Sequence, residues 1–151
     1  MIELERPADL ARYVGKEIGV SDWLTVDQAI IDKFAEATGD HQWIHVDVER
    51  AKREMPDGKT IAHGYLTLSL VPRLAQTIYR VKKRSRGLNY GSNRIRFTGQ
   101  VPAGSRIRLH QKIKSVEPVE GGVRITSEST VEVEGAERPA LVGETISMQF
   151  D

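Results

Sequence analysis

The order of sequence patterns along the chain predicts an α+β fold, with helices in the first half and antiparallel strands in the second. Two segments of the first half have apolar residues at helical spacing, and the second of these is apolar almost all round. From about residue 87 onward, apolar and polar residues alternate, with turn sequences between the runs. We therefore expect a curved antiparallel sheet with one long apolar helix lying against it.

The size and composition of the chain are those of an ordinary globular protein. Its 151 residues can bury a core without disulfide or metal support, and we expect one domain. The 22 Lys and Arg nearly balance the 21 Asp and Glu, so no net field favours nucleic acid or an acidic membrane as a partner. The absence of cysteine excludes a thiolate nucleophile and a cysteine-based metal site. No segment resembles a signal peptide or a membrane span, and we expect a cytoplasmic protein.

The chain begins with a short predicted helix over residues 8–14, which Gly15 ends. Residues 16–26 are expected to be extended, with three apolar anchors: Ile18, Val20 and Trp23.

The first long helix is predicted from its caps as well as its periodicity. Thr25 and Gln28 have the spacing of a capping box, and apolar residues at helical spacing continue to Ala37. Gly39 supplies the left-handed stop. Asp40 is therefore the first residue beyond the end of this helix.

Two further helices are expected before the strands. Asp47 is a predicted N-cap for residues 48–54, and the turn sequence at residues 55–58 ends that helix. Residues 60–78 are apolar on nearly all sides, which predicts a buried helix about 28 Å long at ~1.5 Å per residue. Pro72 is expected to kink it.

The second half of the chain has the two-residue period of half-buried strands. Residues 87–97 form one predicted strand, and three more strands follow it. Their apolar positions are Ile107, Leu109 and Ile113 in the first; Val123, Ile125, Val131 and Val133 in the second; and Ala140, Val142, Ile146, Met148 and Phe150 in the third. The outer face of one strand is basic and that of the next is acidic, which suits antiparallel pairing. An uncovered sheet face or edge needs a partner, and we expect a homodimer.

The segment TGDHQWIH, residues 38–45, carries the most chemical information. It places Asp40 and His45 five positions apart, just beyond a helix end. An imidazole can give or take a proton at neutral pH, and a carboxylate beside it can orient water. Such a pair on one wall of a pocket can add water to an activated double bond from one side, or remove it. The alternative is a helix C-cap followed by a polar loop, which explains the apolar neighbours of His45 poorly.

Gly64, in the sequence Ala-His-Gly, is the second feature of interest. It is placed in the first turn of the buried helix, where backbone N–H groups lack helical partners. An amide at this end of a helix can stabilise an enolate oxygen that develops on a thioester. Alternatively, Gly64 only permits close packing between the helix and the sheet.

Together these features resemble the MaoC-like (R)-specific enoyl-CoA hydratases of the hot-dog fold. Four features match that family in order and spacing over nearly the whole chain: the motif ATGD-x-x-x-x-H, a short helix, AHG at the start of an apolar helix, and a strand-rich tail. The nearest resemblance is to the nodulation-protein-N-like branch of 3-hydroxyacyl-thioester dehydratases, where DHQWIH is familiar. The resemblance implies a single hot-dog domain over residues 1–151, with the sheet wrapped around a central helix. It also implies that Asp40 and His45 are the catalytic pair and that the amide of Gly64 forms the oxyanion hole.

The chain departs from the family at two positions and leaves the roles of others open. Gln42 and Trp43 stand where the family often has Asn and Pro. We expect Gln42 and His63 beside Gly64 in the oxyanion and substrate-binding region. Asn93, with Tyr90 on the same strand, either lines the acyl site or completes a hydrogen-bond network.

Two other clusters are candidates for binding roles. His41, His45 and His63 lack a fourth ligand and the helical spacing of an HExxH site, so we expect no metal. The basic run at residues 82–86 is either a site for coenzyme A phosphates or a solvated loop.

The resemblance and the residues together imply a hydro-lyase that interconverts trans-2-enoyl thioesters and (R)-3-hydroxyacyl thioesters. Its substrate is an acyl-CoA or the acylated arm of a carrier protein, and no cofactor is expected because the thioester itself acidifies the carbon at position 2. A hot-dog acyl thioesterase and a non-catalytic acyl-binding module are the alternatives, because one fold supports several functions.

Overall fold

A six-stranded antiparallel sheet and a long helix against its inner face form the centre of the protein, in a computed structural model that describes residues 1–151. The four α-helices are α1 (Gln28–Thr38), α2 (Trp43–Val46), α3 (Val48–Glu54) and α4 (Gly64–Ala75), and a 3₁₀ helix spans Pro7–Tyr13. The strands are β1 (Ile2–Leu4), β2 (Glu17–Val20), β3 (Leu24–Val26), β4 (Tyr79–Val81), β5 (Arg86–Arg96), β6 (Ser105–Val119), β7 (Gly122–Val133) and β8 (Leu141–Phe150). The predicted α+β class is confirmed. No helix has the length and apolar character that crossing a membrane requires.

Helix α1 ends as the sequence predicts but begins differently. Gly39 adopts the left-handed conformation, with φ of 79°, and its N–H bonds the carbonyl of Ala35. The N-cap is Asp27, whose carboxylate accepts the N–H of Ile30, and the predicted capping role of Thr25 is wrong. Thr25 lies in strand β3, and an Asp directly before the first helical residue satisfies the free N–H groups.

Helix α4 is shorter than its apolar pattern suggests. It covers 12 residues, about 18 Å, whereas the pattern predicts 19 residues over 60–78. Residues 60–63 are instead extended, because Ile61 bridges to Pro102 and the N–H of Ala62 bonds the carbonyl of Val101. Burial from all sides produces the same apolar run whether the backbone is helical or extended.

Strands of the main sheet lie in the order β2, β6, β7, β8 and β5, with β3 also paired to β6. One core fills the space between α4 and the inner face of β6 and β7. Its members include Leu66, Leu70 and Leu74 from the helix, and Ile107, Leu109, Ile113, Ile125 and Val131 from the two strands. The predicted charge pairing on the outer face is confirmed, since Arg106 pairs with Glu134 and Arg108 with Glu132.

Strand β8 contradicts the expectation that its apolar residues face the core. Register with β7 places Thr145 opposite Ser127 and Gln149 opposite Val123, so these polar residues face inward. The apolar residues Val142, Ile146, Met148 and Phe150 alternate with them and lie on the outer face. Val20, a predicted anchor, is also misplaced, because it is 40% exposed near the sheet edge.

A second, two-stranded sheet lies outside the predicted pattern. Strand β1 pairs in parallel with β4, which follows α4. Lys82 of the basic run forms an ion pair with Glu3 in β1, and Lys83 forms one with Glu5 just after β1. These two lysines therefore belong to the surface charge network of this small sheet.

Candidate active site

Asp40, His45 and His63 converge at the start of helix α4. A carboxylate oxygen of Asp40 and one ring nitrogen of each histidine all lie within 4.8 Å of one another. Asp40 is exposed, whereas both histidines are buried. The predicted Asp and His are therefore brought together in space, with His63 as a third member of the cluster.

Two short segments of the backbone place Asp40 and His45 at this point. The left-handed Gly39 turns the chain out of α1, and the N–H of Gln42 approaches the Asp40 carboxylate at 3.4 Å. Helix α2 then carries His45. The ring of Trp43, at the start of α2, is covered by the Arg50 guanidinium at 4.0 Å, which ties α2 to α3.

His45 is held as a neutral imidazole with one free lone pair. Its Nδ1 lies 2.7 Å from the backbone carbonyl of Ile61, and because a carbonyl only accepts, Nδ1 carries the hydrogen. Nε2 is then unprotonated and can accept a proton. Burial lowers the pKa of His45 below its ordinary 6.5, against the opposing effect of the Ile61 hydrogen bond. His45 can therefore act as a base at neutral pH.

His63 connects the Asp40 segment to helix α4. Its ring stacks on that of His45, with centroids 3.8 Å apart, and its Nε2 donates to the backbone carbonyl of Asp40 at 2.9 Å. Its Nδ1 is buried and has no hydrogen-bond partner. This Nδ1 is therefore a second ring nitrogen of the cluster that no other group of the protein engages.

Gly64 opens α4 and, with His45, lines a cavity of about 320 Å³. No backbone carbonyl accepts its N–H. A Cβ on Gly64 would lie 2.7 Å from the ring of Phe97, so the position also requires glycine for space. A base and a free N–H donor thus line one cavity, and the carboxylate of Asp40 lies within 4.8 Å of that base. These groups can move protons while a negative charge develops on an oxygen.

Asn93 and His41 are not brought to this cluster. Asn93 is exposed on β5, where its amide donates to Glu144 at 3.1 Å, and it does not line the cavity. His41 is exposed. Gln42 is the N-cap of α2 and approaches Asp40 through its backbone only.

Three residues of the site have no signal in the sequence. Gln28, at the first position of α1, donates to the carbonyl of His45 at 2.8 Å and accepts from Thr60, which holds α2 in place. Phe97 and Thr67 line the cavity beside Gly64. Gln28 and Phe97 reach the site from segments that are distant in sequence, so no local motif reveals them.

The same cluster is the group most able to hold a metal ion. Asp40, His45 and His63 can each offer one ligand atom, and His41, considered from the sequence, is not among them. A tetrahedral zinc site would need a fourth ligand in addition to these three.

The sequence is similar to known proteins over nearly its whole length. Residues 9–135 match the family model described as MaoC like domain. The 3-hydroxyacyl-thioester dehydratase Z of Mycobacterium tuberculosis (strain H37Rv) is 50% identical over 147 residues, which cover 97% of each chain. Nodulation protein N of Rhizobium leguminosarum bv. viciae is 45% identical over 95% of this chain and 91% of its own.

Solved structures show the same fold. The R-hydratase PhaJ1 from Pseudomonas aeruginosa has a TM-score of 0.72 at 20% identity, covering 91% of this chain and 82% of that one. The (R)-hydratase from A. caviae has a TM-score of 0.65 at 20% identity, covering 85% and 95%. The predicted hot-dog fold is therefore confirmed.

Proposed function

Because the chain belongs to the MaoC-like dehydratase family, we propose that it interconverts trans-2-enoyl thioesters and (R)-3-hydroxyacyl thioesters by adding or removing water. The observation that carries the proposal is the convergence of Asp40 and His45 within 4.8 Å beside a cavity at the head of α4. The substrate is an acyl-CoA or the acylated arm of a carrier protein. The enzyme then serves fatty acid metabolism, as one domain over residues 1–151.

In the hydration direction, Asp40 and His45 hold one water molecule between them. His45 Nε2 accepts a proton from this water, because Nδ1 is committed to the Ile61 carbonyl. The oxygen bonds to carbon 3, and the electrons of the double bond move toward the thioester carbonyl. The pair then returns a proton to carbon 2 on the same face.

Gly64 stabilises the charge that develops during this step. The thioester oxygen becomes an enolate oxygen, and the free N–H of Gly64 can donate a hydrogen bond to it. The N-terminal end of α4 adds a favourable dipole. The chemistry draws on the acidity of carbon 2 in a thioester, so the proposed mechanism uses no cofactor and no metal.

One assay tests this function against its alternatives. Hydration of crotonyl-CoA removes the absorbance of the conjugated double bond and releases no thiol, whereas a thioesterase releases thiol and a binding module does neither. Asp40→Asn and His45→Gln should each lower kcat by about 10²-fold or more while the protein stays folded. Asp57→Asn and His41→Gln, at exposed positions outside the cluster, are the matched controls. Full activity in Asp40→Asn or His45→Gln would remove that residue from the mechanism.

We also propose a cytoplasmic homodimer that forms along strand β5. This 11-residue strand pairs with β8 on one side only, and all but one of its residues are exposed. Large apolar side chains are exposed on and around it, namely Tyr65, Leu88, Tyr90 and Phe97. An open edge with apolar neighbours favours pairing with a second copy.

The dimer is tested by sedimentation and by hydrogen exchange. A dimer mass together with slow exchange of the β5 amides, comparable to those of β8, is expected. A monomer mass, or fast exchange along β5 in a dimer, would rule out this interface.

A further inference from the structure

Helix α2 carries His45, yet it is only four residues long. A single helical turn is not stable by itself in water, so contacts with other segments must fix its position. One of these contacts is a backbone hydrogen bond from the N–H of Ile61 to the carbonyl of Ile44 at 3.0 Å. The carbonyl of His45 lies in the last turn of α2, where no helical N–H reaches it. The placement of His45 therefore depends on a donor from outside α2.

Gln28 supplies this donor from the first position of α1. Its side-chain amide donates to the carbonyl of His45 at 2.8 Å and to the carboxylate of Asp32 at 2.9 Å, and its oxygen accepts the hydroxyl of Thr60. Both N–H groups and the oxygen of the amide are thus engaged, and since a carbonyl only accepts, the nitrogen must face His45. One side chain therefore joins α1 to α2 and to the segment before α4.

The segment that Thr60 belongs to also carries the hydrogen-bond partner of the His45 ring. Thr60 is 2% exposed and directly precedes Ile61, whose carbonyl lies 2.7 Å from His45 Nδ1. The carbonyl of Thr60 accepts the N–H of Ala103 at 2.9 Å, which fixes this segment from its other side. Gln28 therefore connects the backbone of His45 to the segment whose carbonyl the ring must meet.

The tautomer of His45 depends on this arrangement. The proposed mechanism needs the hydrogen on Nδ1 and a free lone pair on Nε2, and the Ile61 carbonyl selects that tautomer. A displacement of α2 would lengthen the hydrogen bond at Nδ1 and allow the hydrogen to move to Nε2, where it prevents acceptance of a proton from water. On the basis of the hydratase function given above, we propose that Gln28 is a positioning residue that keeps His45 in its reactive tautomer.

Gln28→Met tests this role, because methionine has a similar length and lacks the amide. We expect kcat for crotonyl-CoA to fall by about tenfold or more and KM to change by about twofold at most, since a misplaced base slows the reaction step and does not touch binding. Long-range proton–nitrogen NMR at a pH where His45 is neutral should show the Nδ1–H tautomer in the wild type and a substantial Nε2–H fraction in the variant. Lys33→Met, at an exposed position of the same helix, is the matched control and should change neither result.

Thr60→Val tests whether the two side chains act as one unit. Valine keeps the shape of threonine and removes the hydroxyl that Gln28 accepts. The double variant should then lose about as much kcat as Gln28→Met alone, because the connection is already broken in either single variant. Losses that multiply in the double variant would show independent effects and overturn the shared role.

Thermal melts and the NMR spectra separate positioning from stability and from the function itself. Should Gln28→Met not fold, Gln28→Glu replaces it, since glutamate keeps the acceptor for Thr60, removes both donors and suits the start of a helix. A folded variant with a wild-type kcat, or with His45 still in the Nδ1–H tautomer, would overturn the positioning role, even if its melting temperature had fallen. A wild type that does not hydrate crotonyl-CoA would overturn the hydratase function, and the tautomer comparison would still test the effect of Gln28 on His45.

Discussion

His63 lies face to face with His45, with ring centroids 3.8 Å apart and planes inclined by 21°. Each ring uses one N–H to hold a backbone carbonyl, of Asp40 for His63 and of Ile61 for His45. Burial is the main cause that lowers the pKa of His45, and electrostatic repulsion from His63 is a smaller cause in the same direction. His63 therefore both positions the Asp40 segment and influences when His45 takes up a proton.

His63→Phe is predicted to lower kcat with little change in KM. Phenylalanine retains a ring against His45 and loses the hydrogen bond to the Asp40 carbonyl, a change of about 1–3 kcal/mol and hence on the order of tenfold or more in rate. Because the charge effect on His45 is also removed, the acid limb of the pH profile should move to higher pH. Steady-state kinetics with crotonyl-CoA across pH measures both effects. An unchanged acid limb and an unchanged kcat would show that His63 serves stability alone.

The pKa of His45 predicts how activity and stability depend on pH. Its folded-state pKa lies below 6.5, so kcat/KM should persist below that pH before the neutral base is lost. On acidification, His45 takes up a proton in the unfolded chain at a higher pH than in the folded protein. The stability due to His45 is therefore complete above about pH 6.5 and is lost as the pH falls through the lower folded-state pKa. The loss is at most about 1.4 kcal/mol per pH unit.

Urea unfolding of wild type and His45→Gln on either side of pH 6.5 measures this contribution. The wild type should lose more stability on acidification than the variant, since the glutamine does not titrate. Equal losses would contradict the depressed pKa of His45.

Gly64→Ala is predicted to destabilise the protein by about 1–3 kcal/mol and to lower activity. The added Cβ would lie 2.7 Å from Phe97, so the ring or the start of α4 must move. Alanine retains the N–H, and the double variant Gly64→Ala with Phe97→Leu should therefore regain stability and much of the activity. Thermal melts and crotonyl-CoA kinetics test this, with Phe97→Leu alone as the control. A fully stable, fully active Gly64→Ala would show that the contact with Phe97 is unimportant.

Asp27→Ala is predicted to destabilise the protein by ~1 kcal/mol, and Thr25→Val by much less. Asp27 caps the first turn of α1 through the N–H of Ile30, whereas Thr25 lies in β3, where a β-branched residue is well suited. Urea unfolding compares the two variants. A larger loss for Thr25→Val would restore the capping box that the sequence suggests.

Local chemistry predicted much of the first half of the chain. Gly39 and Asp47 act at the helix ends where their conformational and capping preferences place them. The length of α4 was predicted too long, because residues on both sides of it are buried without being helical. The faces of β8 were reversed, since its apolar residues cover the outer face and only the pairing with β7 decides the inward set.

The candidate site was predicted only in part, because some of its contacts join segments that are distant in sequence. Asp40, His45 and Gly64 stand in short motifs, and the structure brings them to one place. The stacking of His63 on His45, and the contact of Phe97 with Gly64, join segments that are separate in sequence. Asn93 faces Glu144 instead of the site, a choice set by the register of β5 against β8.

The position of β8 affects how the protein folds while it is synthesised on the ribosome. This strand follows β5, β6 and β7 in the chain, yet it is inserted between β7 and β5 in the sheet. Strand β5 therefore has no neighbour on either edge until β8 has been synthesised. A nascent chain must keep β5 from self-association during this interval, which makes co-translational chaperone binding most valuable before β8 emerges.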